Sequence, residues 1–217
     1  MTAYMIDSIT VTRANIYQGA ARLVVSDPDL LTSFPGRLES IMKPATPITG
    51  TAYELATGWT DLGPTSDDGV TIRREAELSD GIVVDQRNTA LDEGEPDKWT
   101  MEAEANLMET TLENFQKMWE GGTLRAHAQD GSHVAQHVLD LDAPASFTER
   151  MAAFIQEDPS TGKLRAFAFR KTIPQVEGSE IALKSSEATA LPLKLKLKSD
   201  ETVSEGSGQF GRIYEED

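Results

Sequence analysis

Apolar and polar residues alternate along much of this chain. Trp99, Met101, Ala103, Ala105 and Leu107 are interleaved with Thr100, Glu102, Glu104 and Asn106, the period of a strand with one buried and one solvated face. Leu191, Leu193, Leu195 and Leu197 alternate in the same way with Pro192, Lys194, Lys196 and Lys198. Leu164, Ala166 and Ala168 interleave with Arg165, Phe167 and Phe169, and this run follows Ala152–Gln156 across a turn-rich link from Glu157 to Gly162. That arrangement predicts a hairpin. A second hairpin is predicted where Ile72–Leu78 and Ile82–Thr89 flank Ser79, Asp80 and Gly81, because an Asp-Gly step suits a tight turn.

One segment carries the helical period instead. Thr110 as N-cap with Glu113 three residues on makes a capping box, and Leu112, Phe115, Met118 and Trp119 then share one face before Gly121-Gly122. A single amphipathic helix of about three turns cannot bury its stripe alone, so it must rest on a sheet. The fold class is therefore mainly β: a β-sandwich or barrel with one flanking α-helix. Asp27–Pro47 carries Pro28, Pro35, Pro44 and Pro47 and reads as a long Pro-rich loop. Leu91–Asp97 reads as an acidic turn region. Residues 1–200 form the domain, and residues 201–217, with Gly206, Gly208 and Gly211, read as a flexible acidic C-terminal tail.

Charge narrows the function. Twenty Lys+Arg against 36 Asp+Glu over 217 residues gives a net charge of −16, which argues against a protein that grips nucleic acid by its phosphates. There is no Cys, which excludes disulfides, thiol catalysis and Cys-based zinc sites. The first residues have neither a basic region nor an apolar core of a signal peptide, and no run approaches a membrane span. The expectation is a soluble protein made in a cytoplasm, without membrane association.

Candidate chemistry is thin. His127, His133 and His137 are the only histidines, but Asp130–Ser132 followed by Val134–Leu141 reads as turn then strand, so His133 and His137 do not stack as a helical metal pair. Asp67-Asp68-Gly69 suggests a calcium loop yet lacks its alternate oxygen ligands, and a turn is the better reading. Glu102 and Glu104 point the same way on one strand, roughly 6–7 Å apart. They are the raw material of a glycosidase, but two acids without a shaped pocket do no chemistry. Gly206, Gly208 and Gly211 fall in a dinucleotide-like spacing without the strand-to-helix context that would make it one. The expectation is no catalytic, cofactor-binding or metal site, and no enzyme activity.

The order of several short motifs is more telling. Gly58-Trp59-Thr60-Asp61-Leu62-Gly63 leads to Asp68-Gly69-Val70; a strand with Val84-Asp85-Gln86, an acidic turn, and Trp99–Leu107 running into a Thr-capped helix follow. With the earlier run Tyr17–Val25 and the late strand from Leu191 to Ser199-Asp200, this resembles the major tail tube proteins of long-tailed, siphovirus-type bacteriophages across most of Tyr17–Asp200. The resemblance implies a β-sandwich with a flanking helix that forms a hexameric ring with an inner β-barrel. It implies a fold similar to the tube protein of type VI secretion. Rings would stack into a hollow tube in the virion tail that conducts the DNA genome during ejection. Partners would be the tape measure protein inside, the terminator and distal tail proteins at the ends, and DNA passing without specific binding. The hairpins Val70–Ala90 and Met151–Thr172 are the expected lumen lining, and Asp27–Pro47 corresponds loosely to inter-ring loops. His133–Ala145 looks enlarged, and the segment after Ser199 has no clear counterpart.

Physical reasoning supports self-assembly separately. A sandwich leaves strand edges exposed, and a ring closed by shared strands removes them. Between Asp61 and Glu109 acids outnumber bases by about three to one, which suits a bore that repels DNA, although the same acids also keep an abundant protein soluble. The alternative is a monomeric β-sandwich virion module for carbohydrate or receptor binding. It requires a concave aromatic patch, and Trp59, Trp99 and Trp119 all read as structural.

Overall fold

The computed structural model describes residues 21–44, 53–78, 83–84, 89–90, 96–118, 120–143, 146–159, 161–175, 190–204 and 207–216. Its strands in chain order are β1 (Arg22–Ser26), β2 (Met42–Pro44), β3 (Tyr53–Leu55), β4 (Trp59–Leu78), β5 (Val83–Val84), β6 (Thr89–Ala90), β7 (Pro96–Leu107), β8 (Thr123–His127), β9 (Gln136–Asp140), β10 (Arg150–Glu157), β11 (Leu164–Pro174), β12 (Leu191–Lys198) and β13 (Gly211–Glu215). The helix α1 spans Leu112–Met118. The fold is mainly β. A seven-stranded antiparallel sheet runs β10-β1-β4-β7-β12-β11-β13, and β10 also pairs with β11. Six of these strands thus close on themselves as a barrel, with β13 continuing along β11 beyond β12.

The period-two runs explain the closure. Ala103, Ala105 and Leu107 of β7, Leu191 to Leu197 of β12 at every second position, and Leu23 and Val25 of β1 are buried together with Phe154 and Phe169 in the barrel interior. Phe154 and Phe169 meet edge to face, with centroids 6.3 Å apart. On the outer side of β1, β10 and β11 lies a second cluster of Val24, Met151, Ala153, Ile155, Ala166 and Ala168. The Pro-rich segment covers it: Leu30, Leu31, Phe34, Leu38 and Ile41 pack there, carried on 3-10 turns at Pro28–Thr32 and Leu38–Ser40. Within the described residues this segment is therefore the lid of its own barrel, where an inter-ring loop had been expected. The apolar residues between the prolines explain the difference, since they bury against the outer cluster while Pro28 starts the first short turn.

Four other expectations change. Met151–Thr172 does form a hairpin, with Ala152 opposite Phe169 and Glu157 opposite Leu164. Yet Met151 to Ile155 are at most 4% exposed, so both faces of β10 are covered within one chain and cannot line a lumen. Among the described residues Ile72–Leu78 pairs with Pro96–Ala103, and Val83–Val84 pairs separately with Thr89–Ala90. A ladder with ten partners along the full β4–β7 ribbon outweighs one local turn preference. The helix begins one residue late: the Thr111 hydroxyl accepts the Asn114 N–H at 3.1 Å, so Thr111 caps a helix of seven residues. Trp119 lies outside the described residues, as do Tyr17–Ala20 and Ser79–Ile82.

The C-terminal segment is also a strand rather than a flexible tail. Gly211–Glu215 pairs with Phe169–Arg165, and Phe210 packs against the interior cluster. The Tyr214 hydroxyl donates to the Pro35 carbonyl, tying β13 to the lid. Gly211 allows this approach, because a Cβ there would lie 2.1 Å from the Ala168 carbonyl oxygen. Arg212, Ile213 and Tyr214 then supply strand-forming residues that the surrounding glycines and acids obscure.

Candidate assembly surface

The motif Trp59–Gly63 has a structural explanation. Trp59 is buried in the outer cluster and Leu62 in the interior. β1 pairs with β4 through Leu23–Gly63 and Val24–Asp61, so Leu62 is the extra residue of a bulge. Asp61 holds that bulge by accepting the Gly63 N–H at 2.8 Å and the Arg22 guanidinium at 2.6 Å. Gly63 supplies a φ of +95°, which other residues rarely adopt.

Glu102 and Glu104 sit on the outer face of the barrel, opposite the buried alternates of β7. Lys194 of β12 lies 3.4 Å from Glu102 and 3.2 Å from Glu104, and Arg73 of β4 approaches Glu104 at 3.7 Å. The hydrogen bond to Glu104 leads in pushing the Lys194 ammonium above its ordinary value, against desolvation and with help from Glu102. Glu104 lines a shallow depression of about 290 Å³ with Asp68, Thr71, Asn106 and Lys194. Its carboxylate there faces a cation, which is the arrangement of a cross-strand ion pair. Along this face Arg73, Lys194, Lys196 and Lys198 stand against Glu75, Glu77, Glu102 and Glu104, four bases to four acids. On this face β12 therefore offsets Glu102 and Glu104 with lysines that the count from Asp61 to Glu109 omits.

The remaining candidates do not converge. His127 and His137 lie on β8 and β9, His133 is in the turn between them, and all three are exposed. Among the described residues no group of three or more His, Asp or Glu is arranged to hold a metal ion. Asp67 and Asp68 belong to a bulge where β4 advances from Thr65 to Val70 while β7 advances only from Leu107 to Ala105. Gly69 turns that bulge with a φ of +77°.

A feature that was not legible in the sequence lies at one end of the barrel. β12 stops pairing with β7 at Met101, but β4 and β7 continue as a two-stranded ribbon to Leu78 and Pro96. β13 continues along β11 without pairing to that ribbon. The gap between them is a slot of about 550 Å³, floored by Ile72, Met101, Phe167, Phe169, Phe210 and Ile213. Trp99, 42% exposed, and Arg74, whose guanidinium lies 4.0 Å from the Trp99 ring centroid, form one wall. Arg212 stands on the other. The sequence alone presents Trp99 as structural. The alternation marks it as inward-facing; only the early end of β12 shows that, among the described residues, no strand runs over it and Arg74 stacks on its ring.

At the other end of the barrel stands a projecting element. α1 is held there by Asn114, whose amide donates at 2.8 Å to both the Leu62 and Glu109 carbonyls, and by Phe115 against the interior cluster. From it β8 and β9 run out as a hairpin that, among the described residues, pairs only with itself, from Thr123–Asp140 to His127–Gln136. Every residue from Arg125 to His137 is exposed, Val134 being 69% so. At its root, Glu120 is buried and accepts the Thr148 N–H at 3.1 Å, with the Arg150 guanidinium 3.8 Å away. No protein-family model matches the chain, and no curated protein sequence matches it.

Proposed function

We propose that this chain is a structural subunit of a bacteriophage tail tube, forming hexameric rings that stack into a hollow conduit for the genome, with no reaction and no cofactor. The observation that carries the reading is the barrel end, where, among the described residues, a strand ribbon and β13 leave edges unpaired around an apolar slot. Open edges over apolar surface are a liability in a monomer and a joint in an assembly. The arm formed by β8 and β9 adds to this, since an isolated two-stranded hairpin is at best marginal in water and gains stability when docked. The order of motifs across most of Tyr17–Asp200, which resembles that of tail tube proteins, supports the specific family. β4 and β7 replace Met151–Thr172 as the strands offered to a shared wall, because they extend past the barrel with one edge unpaired among the described residues.

Sedimentation velocity of the purified chain over a wide concentration range tests the proposal. Conversion of monomer to hexamer and larger species is expected on concentration. A second reading draws on the same slot: Trp99 beside Phe167 and Phe169 is a concave aromatic patch of the kind a carbohydrate-binding module needs. A glycan array bound at Trp99 by a chain that stays monomeric would favour that reading.

A further inference from the structure

We infer that the tip of the β8–β9 arm of one copy seats in the slot between the β7 ribbon and β13 of the next copy. The inference rests on the reading of the chain as a self-assembling subunit and names the joint it uses. Shape comes first. The arm is a thin projection with Val134 at its turn, and the slot is an apolar recess of about 550 Å³. Charge agrees: the slot lining carries Arg74 and Arg212 and no acid, whereas the turn of the arm, residues 128–135, carries Asp130 and no Lys or Arg, Arg125 being paired with Asp140 at 2.8 Å nearer the root. A cationic pocket in a chain of net charge −16 faces an arm with an acidic excess. Burial next to Trp99 and Ile213 would give the arm the apolar contact its own chain does not.

Position then decides between self-docking and exchange. Trp99 marks the slot and Leu107 leads into the helix that roots the arm, so the two lie eight residues apart along β7, roughly 26 Å at strand rise. The exposed arm does not reach back to its own slot. A projection at one end and a recess at the other make a heterologous, head-to-tail contact, which repeats into a closed ring or an open stack.

The absence of cysteine from the chain makes the test clean. A full-length double variant, Val134→Cys with Ile213→Cys, is treated with a short bis-maleimide cross-linker under assembling conditions. Both positions are more than half exposed, so neither change disturbs the core. Intermolecular ladders from the double variant, with none from either single variant, are expected. Val134→Lys, which places a third cation in the slot, should weaken assembly at least tenfold while circular dichroism stays unchanged. If wild-type chains assemble but no ladder forms, or Val134→Lys assembles as wild type does, the joint is elsewhere and the tube reading stands. If wild-type chains never assemble, the tube reading itself falls, and this joint with it.

Discussion

Replacing Gly211 by Ala should loosen β13, and the size of the effect follows from the backbone. A Cβ at this position would lie 2.1 Å from the Ala168 carbonyl oxygen and 3.0 Å from its carbon, where ordinary contact begins near 3.4 Å. The obstacle is main chain in the β11 ladder, so no rotamer change relieves it. Either β13 shifts by more than about 1 Å or it detaches; overpacking of this kind costs about 1–3 kcal/mol. Detachment would also give up the Tyr214 bond to Pro35 and the seat of Phe210. For a chain of this size each kcal/mol moves Tm by about 2–4 °C, so a fall of about 2–12 °C is expected. Gly36→Ala, whose Cβ meets nothing within 4 Å, is the control and should change stability by less than about 0.5 kcal/mol. Thermal melting reads the magnitude, and hydrogen exchange of residues 211–215 reads the location. Equal melting of the two variants, with β13 amides as protected as in wild type, would refute the claim that the C-terminal segment is an integral strand.

Thr111→Ala should cost about 1 kcal/mol through loss of the Asn114 cap, whereas Thr110→Ala should stay within about 0.5 kcal/mol; denaturant titration separates them. Asp200 is buried, which alone would push its carboxyl up, but bonds from Thr202 and Lys171 outweigh this and hold it below its ordinary value. Its stabilising contribution is therefore present above the unfolded value near about pH 4 and lost as pH falls through the folded one. Asp200→Asn should be less stable at neutral pH and lose less on acidification from about pH 5 to about pH 3; an identical acid profile would contradict this. If like-charge repulsion between subunits limits assembly, raising ionic strength from ~10 mM to ~150 mM, which shortens screening from ~30 to ~8 Å, should favour larger species in light scattering. A decrease would point instead to ion pairs across the joint.

Local pattern and long-range pairing divide what the chain discloses. The alternation in β7 and β12 is legible because each strand has one face in the interior cluster, and that one-sided burial writes itself as period two, whereas β11 turns Phe167 and Phe169 inward and Leu164, Ala166 and Ala168 to the outer cluster. The helix was legible from its stripe, though two adjacent threonines compete for the cap and only the Asn114 side chain, drawn to Leu62 and Glu109, settles which one wins. The partner of β4 was misread because Asp80-Gly81 advertises a local turn while the longer ladder to β7 leaves no mark on either sequence alone. β13 was missed because glycines that permit close approach to Ala168 look like linker composition. Glu102 and Glu104 are visible as a pair, but Lys194, which lies between both carboxylates, arrives from ninety residues away. The slot is a property of where β12 stops, and no window of the chain contains that fact.

Electron microscopy of the purified chain at high concentration bears most directly on the central claim. Hollow tubes, or rings with six-fold symmetry in end view, are the predicted result. A field of uniform single particles of about the 23.7 kDa chain mass, unchanged at the highest attainable concentration, would contradict it.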